Sequence, residues 1–143
     1  MATRPAALDP AVLAAISMGG GLGASARFGA GHLWPVRPGD FPWSTFTVNV
    51  LGCFAIGVLM VAVTELWQAP RLVRPFLGIG VLGGFTTFST YSAELRTLFD
   101  SGAVVAALSY LGLSVLAGLS AVATAVFATR WVAGARGRPR GNL

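Results

Sequence analysis

Four stretches of this chain carry no charged side chain: Pro10–Ala26, Phe41–Thr64, Pro75–Ala93 and Ser101–Thr129. A helix crosses a hydrocarbon core of about 30 Å with about 20 apolar residues, so each run predicts one crossing, the first continuing past Arg27. The predicted spans are 10–30, 43–66, 75–97 and 102–130. The last run, Ser101–Thr129, is long enough to tilt or to project beyond the bilayer. Spans and short links take up nearly all of the 143 residues, predicting a single all-α membrane domain with a basic tail at 131–143. Composition agrees: only 10% of the residues are charged, where a soluble domain uses roughly 25% to clothe its surface. The mean hydropathy is +0.72.

Several function classes fall away. One cysteine, Cys53, and one histidine, His32, exclude a disulfide framework and an ordinary multi-ligand zinc or iron–sulfur site. No nucleophile, base and orienting group come together in the sequence, so an enzyme is not expected. Gly78-x-Gly80-x-x-Gly83 and Gly19-x-Gly21-x-x-Ala24 match dinucleotide-binding patterns literally. Both lie inside hydrophobic spans, without the βαβ unit that gives the pattern meaning. The net charge of +5 would suit nucleic acid, but four of the ten arginines sit in the last fourteen residues. Beside so much apolar sequence they read as a cytoplasmic membrane flank. The first run ends in Arg27 rather than in a small-residue cleavage site, so the first span is expected to stay in the mature protein. No repeat of 20–50 residues is visible, so any twofold symmetry must come from a second chain.

Ionisable groups inside a bilayer are costly and mark mechanism. The runs 41–64, 75–93 and 101–129 contain no Asp, Glu, Lys, Arg or His, and Glu65, Glu94 and Asp100 lie at or beyond their ends. A proton-coupled pump would need a titratable relay at depth, and a small four-span multidrug exporter would need an embedded carboxylate. What remains at depth is uncharged: Asn49, Thr45, Thr47, Thr86, Thr87, Ser89, Thr90, Ser92, Ser109, Tyr110 and Ser114. Such groups can donate to an anion without a fixed charge to trap it. Equally, a membrane hydroxyl can bond back to its own helix or join two helices.

The segment Gly83-Gly84-Phe85-Thr86-Thr87-Phe88-Ser89-Thr90-Tyr91 is poor helix material, each glycine costing about 1 kcal/mol relative to alanine. Placed mid-membrane, it points to a broken third helix whose freed backbone lines a site. Bare carbonyls there would suit a small hard cation. Close packing through Gly80-x-x-x-Gly84 explains the glycines as well. Phe88 and Tyr91, three apart, share a helix face, and their positive ring edges can meet an anion.

Three motifs in order resemble the small bacterial fluoride channels called Fluc or CrcB. Gly20-Gly21-Leu22-Gly23-Ala24-Ser25-Ala26-Arg27-Phe28 looks like their first-span pattern, and Thr45-Phe46-Thr47-Val48-Asn49-Val50-Leu51-Gly52 like their second. Gly83–Thr90 is similar to their third-span signature. The resemblance covers nearly the whole chain. It implies an antiparallel dimer with two fluoride pores along its interface, and a structural sodium ion held at the twofold centre by the backbone carbonyls of Gly83 and Thr86. It places Phe88 and Tyr91 in an aromatic box on the fluoride pathway, with Asn49 nearby, Ser89 and Thr90 as polar lining, and Arg27 towards an aqueous vestibule. Tyr110 and Ser114 look like the family's fourth-span polar track, whose next step falls on Gly118, without a hydroxyl. Tyr91 stands where the family usually has phenylalanine.

Passive export of fluoride from the cytoplasm is the function these features imply. An interior-negative potential of 100 mV is worth about 2.3 kcal/mol per charge, so no coupling ion is required. The alternatives are the multidrug exporter, short of its carboxylate, and a non-transporting membrane assembly subunit, which would not need the break. An even number of spans puts Arg4, Arg71, Arg74, Arg130, Arg136, Arg138 and Arg140 on one side and Arg27, Arg37 and Arg96 on the other. That bias predicts cytoplasmic termini in most copies of a multi-pass plasma-membrane protein. It favours an oppositely inserted, related second chain as dimer partner, while pairing with itself requires both orientations.

Overall fold

The computed structural model describes residues 9–136, and every regular element among them is helical. Arg4 and the 137–143 portion of the expected basic tail lie outside the described residues. Helix α1 spans Pro10–Leu33 and α2 spans Trp43–Val61, the latter continuing through a π-helical turn, Ala62–Leu66. A π-helix, Arg74–Leu82, leads into the single turn α3, Gly83–Phe85. Helix α4, Ser89–Asp100, and the long α5, Val104–Arg136, complete the chain.

The helix ends follow from local chemistry. Asp9 caps α1, its carboxylate accepting from the Ala11 amide at 2.9 Å, with Pro10 in the first turn where no amide is needed. Gly102, at φ +77°, ends α4 in a left-handed residue. The Ala103 amide returns to the Leu98 carbonyl at 2.9 Å and that of Gly102 to Phe99 at 3.0 Å. This paired closure turns the chain sharply into α5.

Three helical stretches are long and apolar enough to cross a membrane: Pro10–Leu33, Trp43–Leu66 and Val104–Gly134. The remaining membrane segment is broken, Arg74–Phe85 and Ser89–Asp100 being separated by Thr86–Phe88. Its first half packs on α1 through backbone rather than side chains. A Cβ added at Gly80 would come within 2.9 Å of the Gly19 Cα, and one at Gly84 would overlap the Gly20 carbonyl. Helix α2 lies along α5, where a Cβ at Gly57 would sit 2.8 Å from that of Ala125. Helix α4 meets α5 in a small core of Tyr91, Leu98, Ala107 and Tyr110.

Beyond that core, Val48, Val61 and Pro42 are the larger apolar side chains buried among the described residues. Met18, Leu22, Leu51, Leu108, Leu116 and Phe127 are all exposed. For a water-soluble domain this is inside out, and for a lipid-facing one it is expected. Tryptophans mark the two ends. Trp34 and Trp43 flank one link, while Trp67 and Trp131 lie at the other end, where Arg130 Nε reaches both Glu65 oxygens at 3.0 Å. Exposed indoles at both rims form the belt usual at membrane–water interfaces. Arg71 pairs with Asp9, which brings the start of α1 and the 67–73 link to the same rim as Arg130.

Candidate functional site

Hydrogen-bond accounting explains the break. The amide and hydroxyl of Thr86 both donate to the Leu82 carbonyl, at 3.0 and 2.8 Å, which finishes the first half-helix. Thr86 itself is extended (φ −77°, ψ 154°). A continuous helix would aim the Thr87 amide at the Gly83 carbonyl. Instead that amide donates to Asn49 Oδ1 at 2.8 Å, while Asn49 Nδ2 donates to the Thr87 carbonyl at 2.9 Å. The Thr90 amide, which would have gone to Thr86, donates to Thr87 Oγ1 at 3.2 Å and so helps to start α4. The Gly84 and Phe85 carbonyls lose their helical amides across the same break, and Gly84 accepts from Arg27 instead, so Gly83, Phe85 and Thr86 are left with carbonyls free of helical bonding.

Around the break lie two cavities with Thr87 in the wall of both. The first, about 420 Å³, brings together Asn49, Gly83, Thr86, Phe88, Tyr91 and Ser114 from α2, α3, α4, α5 and the break, and its lining carries no acid, arginine or histidine. Ser114 Oγ is buried there with no hydrogen-bond partner among the described residues. Phe88 is 79% exposed and its ring centroid lies 5.8 Å from that of Tyr91. The second cavity, about 630 Å³, holds Arg27 and Thr90 with Thr45, His32 and Glu94. Ser89 lies outside both, 3.3 Å from Thr87 Oγ1, and Tyr110 is fully buried behind them.

The match to the family described as CrcB-like protein, Camphor Resistance (CrcB), covers residues 14–126. The chain belongs to this CrcB-like family. It is 61% identical over 131 residues to "Fluoride-specific ion channel FluC 2" of Nocardia farcinica, covering 92% of this chain and 94% of that one. It is 54% identical over 121 residues to "Fluoride-specific ion channel FluC 1" of Streptomyces coelicolor, covering 85% and 79% of the two chains. A relative in Rhodospirillum centenum, "Fluoride-specific ion channel FluC", is 44% identical over 126 residues, covering 80% of this chain and 98% of its own.

Several details of this CrcB-like chain differ from what residue spacing implies. The Tyr91 hydroxyl donates to the Leu111 carbonyl at 3.3 Å, so the extra oxygen at this position ties α4 to α5. The polar track on α5 divides: the Tyr110 hydroxyl donates to Glu94 at 2.7 Å, whereas Ser114 faces the first cavity. At the third step, a Cβ on Gly118 would lie 3.4 Å from the Cys53 sulfur. Arg27 borders the second cavity, yet its Nε donates to the Gly84 carbonyl at 3.1 Å and so ties α1 to the break. Crowding at the glycine pair falls on Gly84 rather than Gly83, whose added Cβ would meet only the Gly78 carbonyl, at 3.9 Å. Both readings of the glycines therefore hold: Gly80 and Gly84 pack on α1, and the helix breaks just beyond them.

In the sequence Glu94 stands just beyond a charge-free run, and no motif there gives it a role. In the fold it accepts from Thr45 Oγ1 at 2.8 Å on one oxygen and from Tyr110 on the other. The available signal was helical spacing, because Thr87, Thr90, Tyr91 and Glu94 fall at three- and four-residue steps. The partners, 49 and 16 residues away, could not be read from it.

One local prediction follows from Gly52, where an added Cβ would overlap the Thr86 Cγ2 methyl. Gly52→Ala should displace the break and lower thermal stability. Thr86→Ser keeps the backbone carbonyl and the hydroxyl but removes that methyl, and is expected to cost little. The double variant should then recover most of the loss, giving a coupling of roughly 1–2 kcal/mol in a double-mutant cycle of unfolding. Additive effects would show that Thr86 does not set the fit at Gly52.

Proposed function

We propose that this chain forms a fluoride-selective channel that lets fluoride leave the cytoplasm passively. The observation that carries the reading is the first cavity, an uncharged site where the Phe88 and Tyr91 rings meet an unpartnered serine hydroxyl. Fluoride is small and tightly hydrated, so a selective path must replace its water with donors and positive ring edges as it moves. Chloride is refused by the narrowness of the path and by the placement of those donors. The names of the relatives support the same ion.

A dimer completes the site. Irregular backbone at membrane depth is tolerated only where protein or an aqueous cavity covers it, and the break leaves Phe88 open on the protomer surface. A second chain, inserted the other way and either identical or closely related, covers that face. The Gly83 and Thr86 carbonyls are hard oxygen ligands freed from helical bonding, which fits a sodium ion. Two carbonyls are too few for such an ion, and an equivalent pair from the partner would make up the set. When bound, a sodium ion would supply positive charge to these carbonyls. Arg27 adds positive potential at the mouth of the second cavity.

The reading places the protein in the plasma membrane with its termini mostly cytoplasmic. Purified protein in liposomes tests the function directly. Fluoride should leave loaded vesicles rapidly, as read by an electrode, while chloride stays. An exporter would move organic cations instead, and an assembly subunit would move neither.

A further inference from the structure

We propose that Asn49 is a positioning residue for the helix break: by pairing with both the amide and the carbonyl of Thr87, it keeps the Gly83 carbonyl free to bind a cation rather than itself donating to the passing anion. This deepens the sodium reading above and rests on it. Asn49 sits on α2 and reaches across 38 residues of sequence to hold the backbone of one residue, Thr87, by two bonds, at 2.8 and 2.9 Å. Its carboxamide plays the part of a neighbouring backbone, offering one acceptor and one donor in the order Thr87 requires. Without it, the Thr87 amide has a ready alternative in the Gly83 carbonyl, the acceptor a helix would assign to it. Taking that bond would continue the first half-helix and remove a ligand from the cation site. An unpaired amide in this partly buried segment at membrane depth is costly, so the alternative would be taken. Arg27 steadies the same segment from α1 by donating to the neighbouring Gly84 carbonyl at 3.1 Å. The side chain therefore acts on the anion path only through the shape of the break.

The test uses full-length protein, wild type, Asn49→Ala and Asn49→Asp, titrated with sodium chloride against N-methylglucamine chloride. Thermal unfolding in detergent reads cation binding, and fluoride efflux from liposomes reads conduction. Wild-type stability should rise with sodium. Asn49→Ala should need roughly tenfold more sodium for the same rise, with fluoride efflux recovering once sodium saturates. Asn49→Asp keeps the acceptor for the Thr87 amide, so its sodium midpoint should stay within about threefold of wild type whatever its flux. If Asn49→Ala does not assemble, a near-wild-type sodium midpoint in Asn49→Asp supports the proposal. An unchanged midpoint in Asn49→Ala, with flux lost at every sodium concentration, would overturn it and make Asn49 a donor to the ion. Failure of both variants to assemble at any sodium concentration would overturn it too. A wild-type protein indifferent to sodium would instead remove the cation reading, and this proposal with it.

Discussion

Phe88→Ile is expected to cut fluoride efflux about tenfold or more, because a lost ring-edge contact of about 1.5 kcal/mol raises a barrier by that factor. Assembly should be preserved. Phe88 is 79% exposed on the protomer, stands at the start of α4, and has its ring beside Tyr91. Isoleucine keeps the residue apolar and of similar reach, so lipid or partner contacts on that face change little. What it lacks is the positive ring edge that can replace part of the fluoride hydration shell. Efflux rates from liposomes carrying equal amounts of assembled protein, checked by size-exclusion chromatography, decide the matter. Wild-type flux in Phe88→Ile would take this ring out of the ion path.

The parts of the account that could be read from sequence share one property: they depend on local composition. Charge-free runs mark where helices meet lipid, and the Gly83-Gly84 pair followed by Thr86-Thr87 marks where the third helix fails. What could not be read depends on pairing between distant segments. Asn49 was legible as a buried polar residue, yet its two bonds to Thr87 exist only because α2 lies beside the break. Glu94 directly follows a charge-free run in the sequence, and only the fold brings Thr45 and Tyr110 to its two oxygens. Among the glycines, sequence alone could not tell Gly84, pressed on Gly20, from Gly83, which has space.

That distinction leads to the second large effect, on folding rather than conduction. Gly23→Ala should sharply reduce assembled protein. Its Cβ would overlap the Val81 carbonyl oxygen and come within 2.7 Å of the Phe85 amide nitrogen, both fixed backbone atoms. No side chain can swing aside, so α1 must move off the half-helix that carries the break. Overpacking of this kind costs about 3 kcal/mol, a large share of a marginal stability. Gly29→Ala, on the same helix with nothing within 4 Å of the new carbon, is the control and should behave as wild type. Yields of monodisperse protein and thermal unfolding midpoints provide the comparison. Equal behaviour of the two variants would show that α1 does not pack on the half-helix through Gly23.

In the proposed function fluoride moves alone, driven by voltage, through a first cavity whose lining carries no acid, arginine or histidine to couple it to protons. Vesicles containing the protein, held at an interior-negative potential of about 100 mV by valinomycin and a potassium gradient, test it most directly, because that potential is worth about 2.3 kcal/mol per charge. At steady state, a fluoride electrode should find interior fluoride about fifty-fold below exterior, and imposed proton or sodium gradients should leave that ratio unchanged. A ratio that followed the proton or sodium gradient, or vesicles no more permeable to fluoride than protein-free ones, would contradict the account.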